Sequence, residues 1–425
     1  MLTNTDLTII FILQILVVLT LCKIVGYLGT KYLGQAQVTM EMIAGVILGP
    51  SILGAVFPAI QSYIFPQTLT LASGETIKHP SMGILYVVAQ TGLVLYMFVV
   101  GLEFDPSLLK SRAKSAISIS CAGILVPFGL ACLAYFAFPQ IATLFTEKSA
   151  PIEQIIFLGA AMCITAFPML ARIIYELGMS KTPVGVMSLS AGAVDDLAAW
   201  LLLAFVLSMF THNQFALIVA LGGTALFIGV LLTIGKKLFT AITPANPGDL
   251  TQGRLGTILI LLFIGAWFTD SIGIFAVFGA FAIGAAFPKT VGTKALQNKI
   301  EPLTVGLLLP FFFTFSGLNT EIGTLNNPGL IGITLVLLAV AILGKLGGCY
   351  FAARLNNVSH PDSLKIGVLM NARGLMELII LNIGLEKGII TKELFTMLVI
   401  MAIVTTLMAT PIFRAVLKKY PTATA

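Results

Sequence analysis

The chain has 425 residues, of which 58% are hydrophobic and only 10% charged, with a formal net charge of +6 and a mean hydropathy of +1.02. A water-soluble domain carries about 25% charged residues, so a soluble enzyme, a nucleic-acid binder and a disordered regulator are excluded, and the chain reads as an integral membrane protein. Its basic excess sits in short loops between apolar runs, a pattern of topology control that calls for no anionic partner.

A helix needs about 20 apolar residues to cross a bilayer core, and thirteen segments meet or approach that length: 7–29, 36–54, 82–104, 115–138, 154–177, 183–209, 215–235, 254–268, 273–288, 301–318, 330–354, 364–385 and 393–417. Met1 to Asp6 is short and lacks a basic stretch, so the first segment is expected to be a retained span and not a cleaved signal peptide. Residues 55–81 form the longest outside loop, and 236–253 (KKLFTAITPANPGDLTQG) form an inside linker near the middle of the chain. One side of the membrane receives four basic residues, Lys78, Lys148, Lys387 and Lys392; the other receives sixteen, among them Lys110, Arg112 and Lys114, Lys236, Lys237 and Arg254, Lys289, Lys294 and Lys299, and Arg414, Lys418 and Lys419. The positive-inside rule then places the N-terminus outside and the C-terminus in the cytoplasm. Lys23, Arg172, Lys345 and Arg373 lie within spans.

No polar module interrupts this series, so the chain is expected to be one membrane domain. With 215–235 as a connector helix, the six spans of about 7–209 and the six of about 254–417 are offset by seven, an odd number, and must run in opposite orientation. The expected fold is therefore all-α, with about 13 transmembrane helices in two inverted six-helix repeats. The fifth and twelfth spans correspond, and both are interrupted, at Thr165-Ala166-Phe167-Pro168 and at Asn371-Ala372-Arg373-Gly374. Unpaired backbone survives in lipid only where it lines a polar cavity, and paired breaks in two halves point to a transporter's midplane site.

The five cysteines fall inside apolar runs with no CxxC spacing, and His79, His212 and His360 lie in predicted loops, so no disulfide framework, transition-metal site or other cofactor is indicated. The intramembrane charges carry more information. Asp195 and Asp196, in SLSAGAVDDLAAWLLLAFV, lie about twelve residues into the sixth span, where a carboxylate costs at least ~2.5–3.5 kcal/mol. Adjacent helical residues point about 100° apart, so one can bind a cation while the other contacts a neighbouring helix. Burial as a pair neutralised by basic residues is the structural alternative. Carboxylates beside the free carbonyls of the Thr165 break make a hard oxygen site for Na⁺, Li⁺ or K⁺, and equally for protons.

Lys345, in AVAILGKLGGCYFAARL, is expected to pair with one of the two aspartates. Snorkelling to the inner boundary is the alternative, but Gly344, Gly347 and Gly348 favour close helix approach around a buried charge. Arg373 and Glu377 stand four apart and are read as a pair that anchors the second break. Glu41 is read as interfacial, near the inner end of the second span. Glu103 and Asp105 close the third, where solvation and pairing with Lys110 or Arg112 account for them.

At these residues the chain resembles the monovalent cation:proton antiporters, in the branch of the plant cation/proton exchangers and the glutathione-gated potassium efflux systems. The likeness covers QTGLVLYMFVVGLEFDPSLL (90–109), CITAFPMLARIIYELGMSKTPVG (163–185) with AVDDLAAWLLLA (193–204), LLLPFFFTFSGLNTEI (307–322) and NARGLMELIILNIG (371–384). Bacterial members are similar in having thirteen spans and an outside N-terminus. The resemblance implies that Asp196 is the main cation and proton carboxylate, that Asp195 pairs with Lys345 when no cation is bound, and that Thr165 belongs to the first broken crossing helix. Many plant members have Asn, and the potassium efflux systems Gln, where this chain has Asp195. The double-Asp pattern implies Na⁺ or Li⁺ exchange that moves net charge and serves pH homeostasis. The resemblance also suggests a homodimer, in the inner membrane of the cell or in an internal one. Relatives often carry a C-terminal regulatory domain, which is not expected here because the chain stops at Ala425.

The expected function is thus not enzymatic. It is alternating-access exchange of a monovalent cation, Na⁺ first and Li⁺ or K⁺ next, for protons at Asp196 and Asp195. Competition needs a carboxyl that holds its proton at neutral pH, as a water-exposed aspartate does not and a desolvated one does. The alternatives are a potassium/proton exchanger and a channel-like cation efflux pathway. An intramembrane aspartyl protease is disfavoured because it needs carboxylates converging from separate segments.

Overall fold

The computed structural model describes residues 3–35, 37–70, 75–104, 113–147, 149–179, 182–210, 214–273 and 275–420. Asp105, Lys110, Arg112, Lys148 and His212 lie outside these residues. In chain order the helices are α1 (Asn4–Leu28), α2 (Gln37–Leu48), the short α3 (Leu53–Val56) and α4 (Pro58–Ile64), α5 (Pro80–Glu103), α6 (Ala113–Ala137), α7 (Pro151–Cys163), α8 (Phe167–Glu176), α9 (Pro183–Phe210), α10 (Gln214–Val230), α11 (Lys236–Ile242), α12 (Gln252–Ser271), α13 (Ala276–Ala286), α14 (Val291–Leu303), α15 (Leu309–Leu318), α16 (Pro328–Leu355), α17 (His360–Met370), α18 (Leu375–Glu386) and α19 (Lys392–Lys419). Single π-helical turns at 29–33, 231–235 and 304–308 extend α1, join α10 to α11 and join α14 to α15.

Starts are set by local chemistry. Asn327, Ser359 and Thr391 accept the exposed N–H groups at the heads of α16, α17 and α19, and Pro opens α4, α5, α7 and α16, where its missing N–H costs nothing. Among the described residues, nine helical stretches are long and apolar enough to cross a membrane. Of the other predicted spans, 183–209 is the continuous helix α9, 273–288 falls on the short α13, and 154–177 and 364–385 are each divided into two half-helices. The 55–81 segment, read as loop, folds into α3, α4 and an antiparallel hairpin, β1 (Thr68–Thr70) on β2 (Thr76–Lys78), with Leu69 opposite Ile77. Runs of three residues are too short to give a period-2 signal.

The chain forms two compact units that interleave in sequence. One contains Met1–Lys23, Ile52–Pro106 and Leu207–Phe315; the other contains Ile24–Ser51, Ser107–Val206 and Ser316–Ala425. In the first, α13 packs along α5 and against α12. Lipid supplies no hydrophobic force between helices, so close packing must come from small residues, and the α5–α13 crossing is built that way. A methyl group on Gly101 would lie 2.3 Å from the Phe281 carbonyl oxygen, and one on Gly284 would lie 2.3 Å from that of Phe98. Both obstacles are backbone and neither can rotate away. Gly101→Ala is expected to destabilise the protein by about 1–3 kcal/mol, read as a lower melting temperature in detergent; an unchanged value would show that the crossing yields.

In the second unit α6 packs along α16, and α17, α18 and α19 pack together beside them. The faces of α16 differ. Leu335, Leu343 and Phe351 form an exposed apolar stripe, whereas Leu337, Ala341, Gly344, Lys345, Gly348 and Cys349 are buried. Glu41, expected at an interface, is buried instead and accepts a 2.9 Å hydrogen bond from Gln37 Nε2 one turn earlier on α2. Its position along the span does not give the side it faces. Lys365, at the start of the predicted 364–385 span, is likewise buried, with Nζ 3.2 Å from Asp362 Oδ1.

Candidate functional site

Both predicted breaks are present in the second unit. The first separates α7 from α8 at Ile164–Ala166, the second separates α17 from α18 at Asn371–Gly374, and the two meet. Ala166 N–H donates to Ala372 O (3.2 Å) and the Thr165 hydroxyl to Met370 O (3.0 Å). Arg373 N–H donates to Thr406 Oγ1 on α19 (3.1 Å). These contacts satisfy backbone groups that lipid cannot. Gly374 has φ of +154° and ψ of −118°, a conformation open to glycine, and a methyl group there would come within 3.1 Å of Met169 Cγ.

The negative end of α7 meets two basic side chains. Arg373 donates to Ala161 O (3.1 Å) and Met162 O (2.5 Å), and Lys345 Nζ donates to Cys163 O (2.5 Å). The last turn of a helix leaves carbonyls unpaired and carries partial negative charge, so these cations stand where that charge is. The three carbonyls just before the first break are therefore each engaged by a cation.

Asp195, at mid-length on α9, points into this junction. Its Oδ2 lies 2.8 Å from Lys345 Nζ and accepts the Thr165 N–H at 3.0 Å, while Oδ1 accepts the Ser120 hydroxyl of α6 at 3.2 Å. Both side chains of the ion pair are 0% exposed. Lys345 does not snorkel, and the glycines expected to admit it do so in part: methyl groups on Gly344 and Gly348 would lie 2.7 Å from Pro127 Cα and Ala122 O of α6, whereas Gly347 has open space beside it. Asp196 is also buried, at 1% exposure, and its side chain leaves the helix about 100° from that of Asp195.

Arg373 and Glu377 are fully buried and 3.5 Å apart. Arg373 makes its shorter bonds to the carbonyls of α7, so its tie runs across the crossing more than along its own segment. Asn371 is buried beside Met370, and among the described residues its Oδ1 and Glu377 Oε2 make no hydrogen bond. Of the expected residues, then, Asp195, Thr165 and Lys345 come into direct contact, Arg373 and Glu377 sit one layer away, and Asn371 adjoins the crossing. Ser120 and the Cys163 carbonyl were not foreseen. A serine in an apolar span carries no distinguishing pattern, and a carbonyl carries none in any sequence.

Two crossing interruptions around fully buried opposite charges define a secondary-carrier architecture. Residues 9–419 match the family model described as sodium/hydrogen exchanger, transmembrane, and the chain belongs to that family. It is 39% identical over 424 residues to the Na(+)/H(+) antiporter NhaS4 of Synechocystis sp., covering 98% of this chain and 99% of that one. It is 36% identical to Cation/H(+) antiporter 17 of Arabidopsis thaliana, covering 96% of this chain and 48% of the relative, so it spans about half of that longer protein. Its fold is that of the sodium proton antiporter MjNhaP1 from Methanocaldococcus jannaschii, with a TM-score of 0.66, 97% of each chain covered and 18% identity.

Proposed function

We propose that this multi-pass membrane protein exchanges a monovalent cation for protons by alternating access, with Na⁺ as its main cation and Li⁺ and K⁺ as further substrates. The observation that carries the reading is the buried Lys345–Asp195 pair at the crossing of two broken helices, one residue from buried Asp196. A proton or a cation at Asp196 each removes one buried negative charge. With neither bound the site keeps that charge, at a cost of at least ~2.5–3.5 kcal/mol. Return of the empty site is then slowed by about two orders of magnitude, which couples the two fluxes.

A cation drawn to both carboxylates displaces Lys345 from Asp195. Without its counter-charge the lysine releases its proton, so two protons move against each cation: one from Asp196 and one from Lys345. One net charge crosses per cycle. The double aspartate and the name of the near full-length relative, a Na⁺/H⁺ antiporter, both favour Na⁺. Thr165 supports the site through its backbone, and Asn371, Arg373 and Glu377 hold the second break.

The same reading holds thirteen spans in two inverted repeats, about 7–209 and 254–417, joined by the 215–235 connector. It also holds an outside N-terminus, a cytoplasmic C-terminus, an inner-membrane location and a homodimer. The test is fluorescence dequenching in everted vesicles, with Na⁺, Li⁺ and K⁺ added from mildly acid to alkaline pH. Saturable dequenching by Na⁺ is the expected result; cation flux that leaves the proton gradient intact would replace the exchanger with a conductive pathway.

A further inference from the structure

We infer that Ser120 is a positioning residue of the exchange site, holding Asp195 in place while Lys345 lets go of it; this rests on the exchange reading above. Among the described residues Asp195 accepts three donors, divided unequally between its oxygens. Oδ2 takes both the Lys345 ammonium and the Thr165 N–H, and Oδ1 takes the Ser120 hydroxyl at 3.2 Å. When a cation displaces Lys345, Asp195 must remain a carboxylate aimed at the site. The two donors left to it are both neutral and both fixed: one is backbone at the first break and the other stands on α6.

That helix is held as a wall. Besides the approaches at Gly344 and Gly348, α6 presents Gly123 one turn beyond Ser120. A methyl group on Gly123 would lie 3.5 Å from Lys345 Nζ and 2.7 Å from Cys349 Sγ. The bare backbone at 123 thus faces the ammonium while the hydroxyl at 120 reaches the carboxylate. One face of α6 is turned to both members of the pair. Among the described residues, the other titratable or charged groups around this pair are Asp196 beside it on α9, Cys163 at the first break, Cys349 on α16, Arg373 at the second break and Glu377 behind that. None of them supplies the neutral hydroxyl donor that Ser120 gives to Oδ1.

A donor to the charged form of a carboxyl favours that form. Without it the proton competes better, and the cation must be offered at higher pH or higher concentration. In proteoliposomes, Ser120→Ala is expected to raise the apparent KM for Na⁺ about tenfold at fixed pH, the equivalent of about 1.4 kcal/mol. It should move the half-maximal pH of exchange to the alkaline side while leaving the maximal rate within about twofold, a change of less than ~0.5 kcal/mol in the barrier. Ser120→Thr keeps the hydroxyl and should restore both. If the alanine variant does not accumulate in the membrane, Ser120→Cys, a weak donor of similar size, should give a smaller shift of the same sign. Ser118→Ala is the control for structural damage to α6, because Ser118 Oγ accepts from Asn356 Nδ2 at 2.9 Å and not from the site; it should leave KM and pH profile as in the wild type.

A Ser120→Ala protein with wild-type KM and pH profile overturns the inference. So does one whose only defect is a lowered maximal rate together with a lowered melting temperature, since that is damage and not positioning. Asp196→Asn in the same assay separates the two levels. If it still exchanges Na⁺ for protons, the exchange site does not lie at Asp196, whatever Ser120 does; if the wild type itself exchanges no Na⁺ for protons, the exchange reading fails. If it is inactive while Ser120→Ala is indistinguishable from wild type, the assignment of Ser120 alone is lost.

Discussion

Asp196→Asn is expected to abolish proton-coupled Na⁺ flux in proteoliposomes while leaving the protein folded. Asparagine fills nearly the same volume, so the packing at this buried position is kept and the melting temperature should stay close to that of the wild type. What disappears is the negative charge that a proton or a cation cancels in the proposed cycle. If cancelling it is worth at least ~2.5–3.5 kcal/mol, exchange should fall by at least about two orders of magnitude. Asp196→Glu retains the charge on a longer arm. It should keep the coupling and lose cation affinity, which separates loss of charge from loss of shape. Retained proton-coupled flux in the asparagine variant would move the exchange site elsewhere. A melting temperature far below that of the wild type would assign Asp196 to structure.

Much of this site was legible in the sequence because lipid makes irregularity and charge expensive. Thr165-Ala166-Phe167-Pro168 and Asn371-Ala372-Arg373-Gly374 interrupt apolar runs at corresponding places, and the structure breaks both helices there. The pairing of Lys345 with Asp195 followed from the need of each charge for a partner, and from glycines that bring α16 close to α6. The resemblance of the 163–204 and 371–384 segments to the antiporter family indicated which aspartate. What could not be read is what depends on three dimensions alone. Ser118 and Ser120 stand two apart in the same apolar span, yet one bonds Asn356 and the other Asp195. The carbonyls of Ala161, Met162 and Cys163 have no sequence signature, and their engagement by Arg373 and Lys345 gives the second break a tie across the crossing that its i, i+4 spacing to Glu377 did not suggest. The burial of Glu41 was not legible for a related reason, since place along a span does not say whether a side chain faces lipid headgroups or neighbouring helices.

Lys345→Gln is expected to cost more stability than any other single change considered for this chain, and the cost should vanish in the Asp195→Asn, Lys345→Gln double variant. Removing one partner of a fully buried pair leaves the other charge uncompensated, which destabilises proteins by about 3–5 kcal/mol. Here the stranded Asp195 keeps, among the described residues, the Ser120 hydroxyl and the Thr165 N–H. Neutralising both members removes the isolated charge, so the double variant should melt near the wild-type temperature although each single variant melts well below it. Transport tells the two roles of the pair apart. If Lys345 supplies the second proton, the double variant still exchanges Na⁺ at Asp196 but now one for one, and its exchange no longer generates a current across a proteoliposome membrane. A current persisting in the double variant would mean that the second proton comes from another group. A Lys345→Gln protein as stable as the wild type would mean that Asp195 is already neutral in the folded protein, and the ion pair could not then be the element that a bound cation displaces.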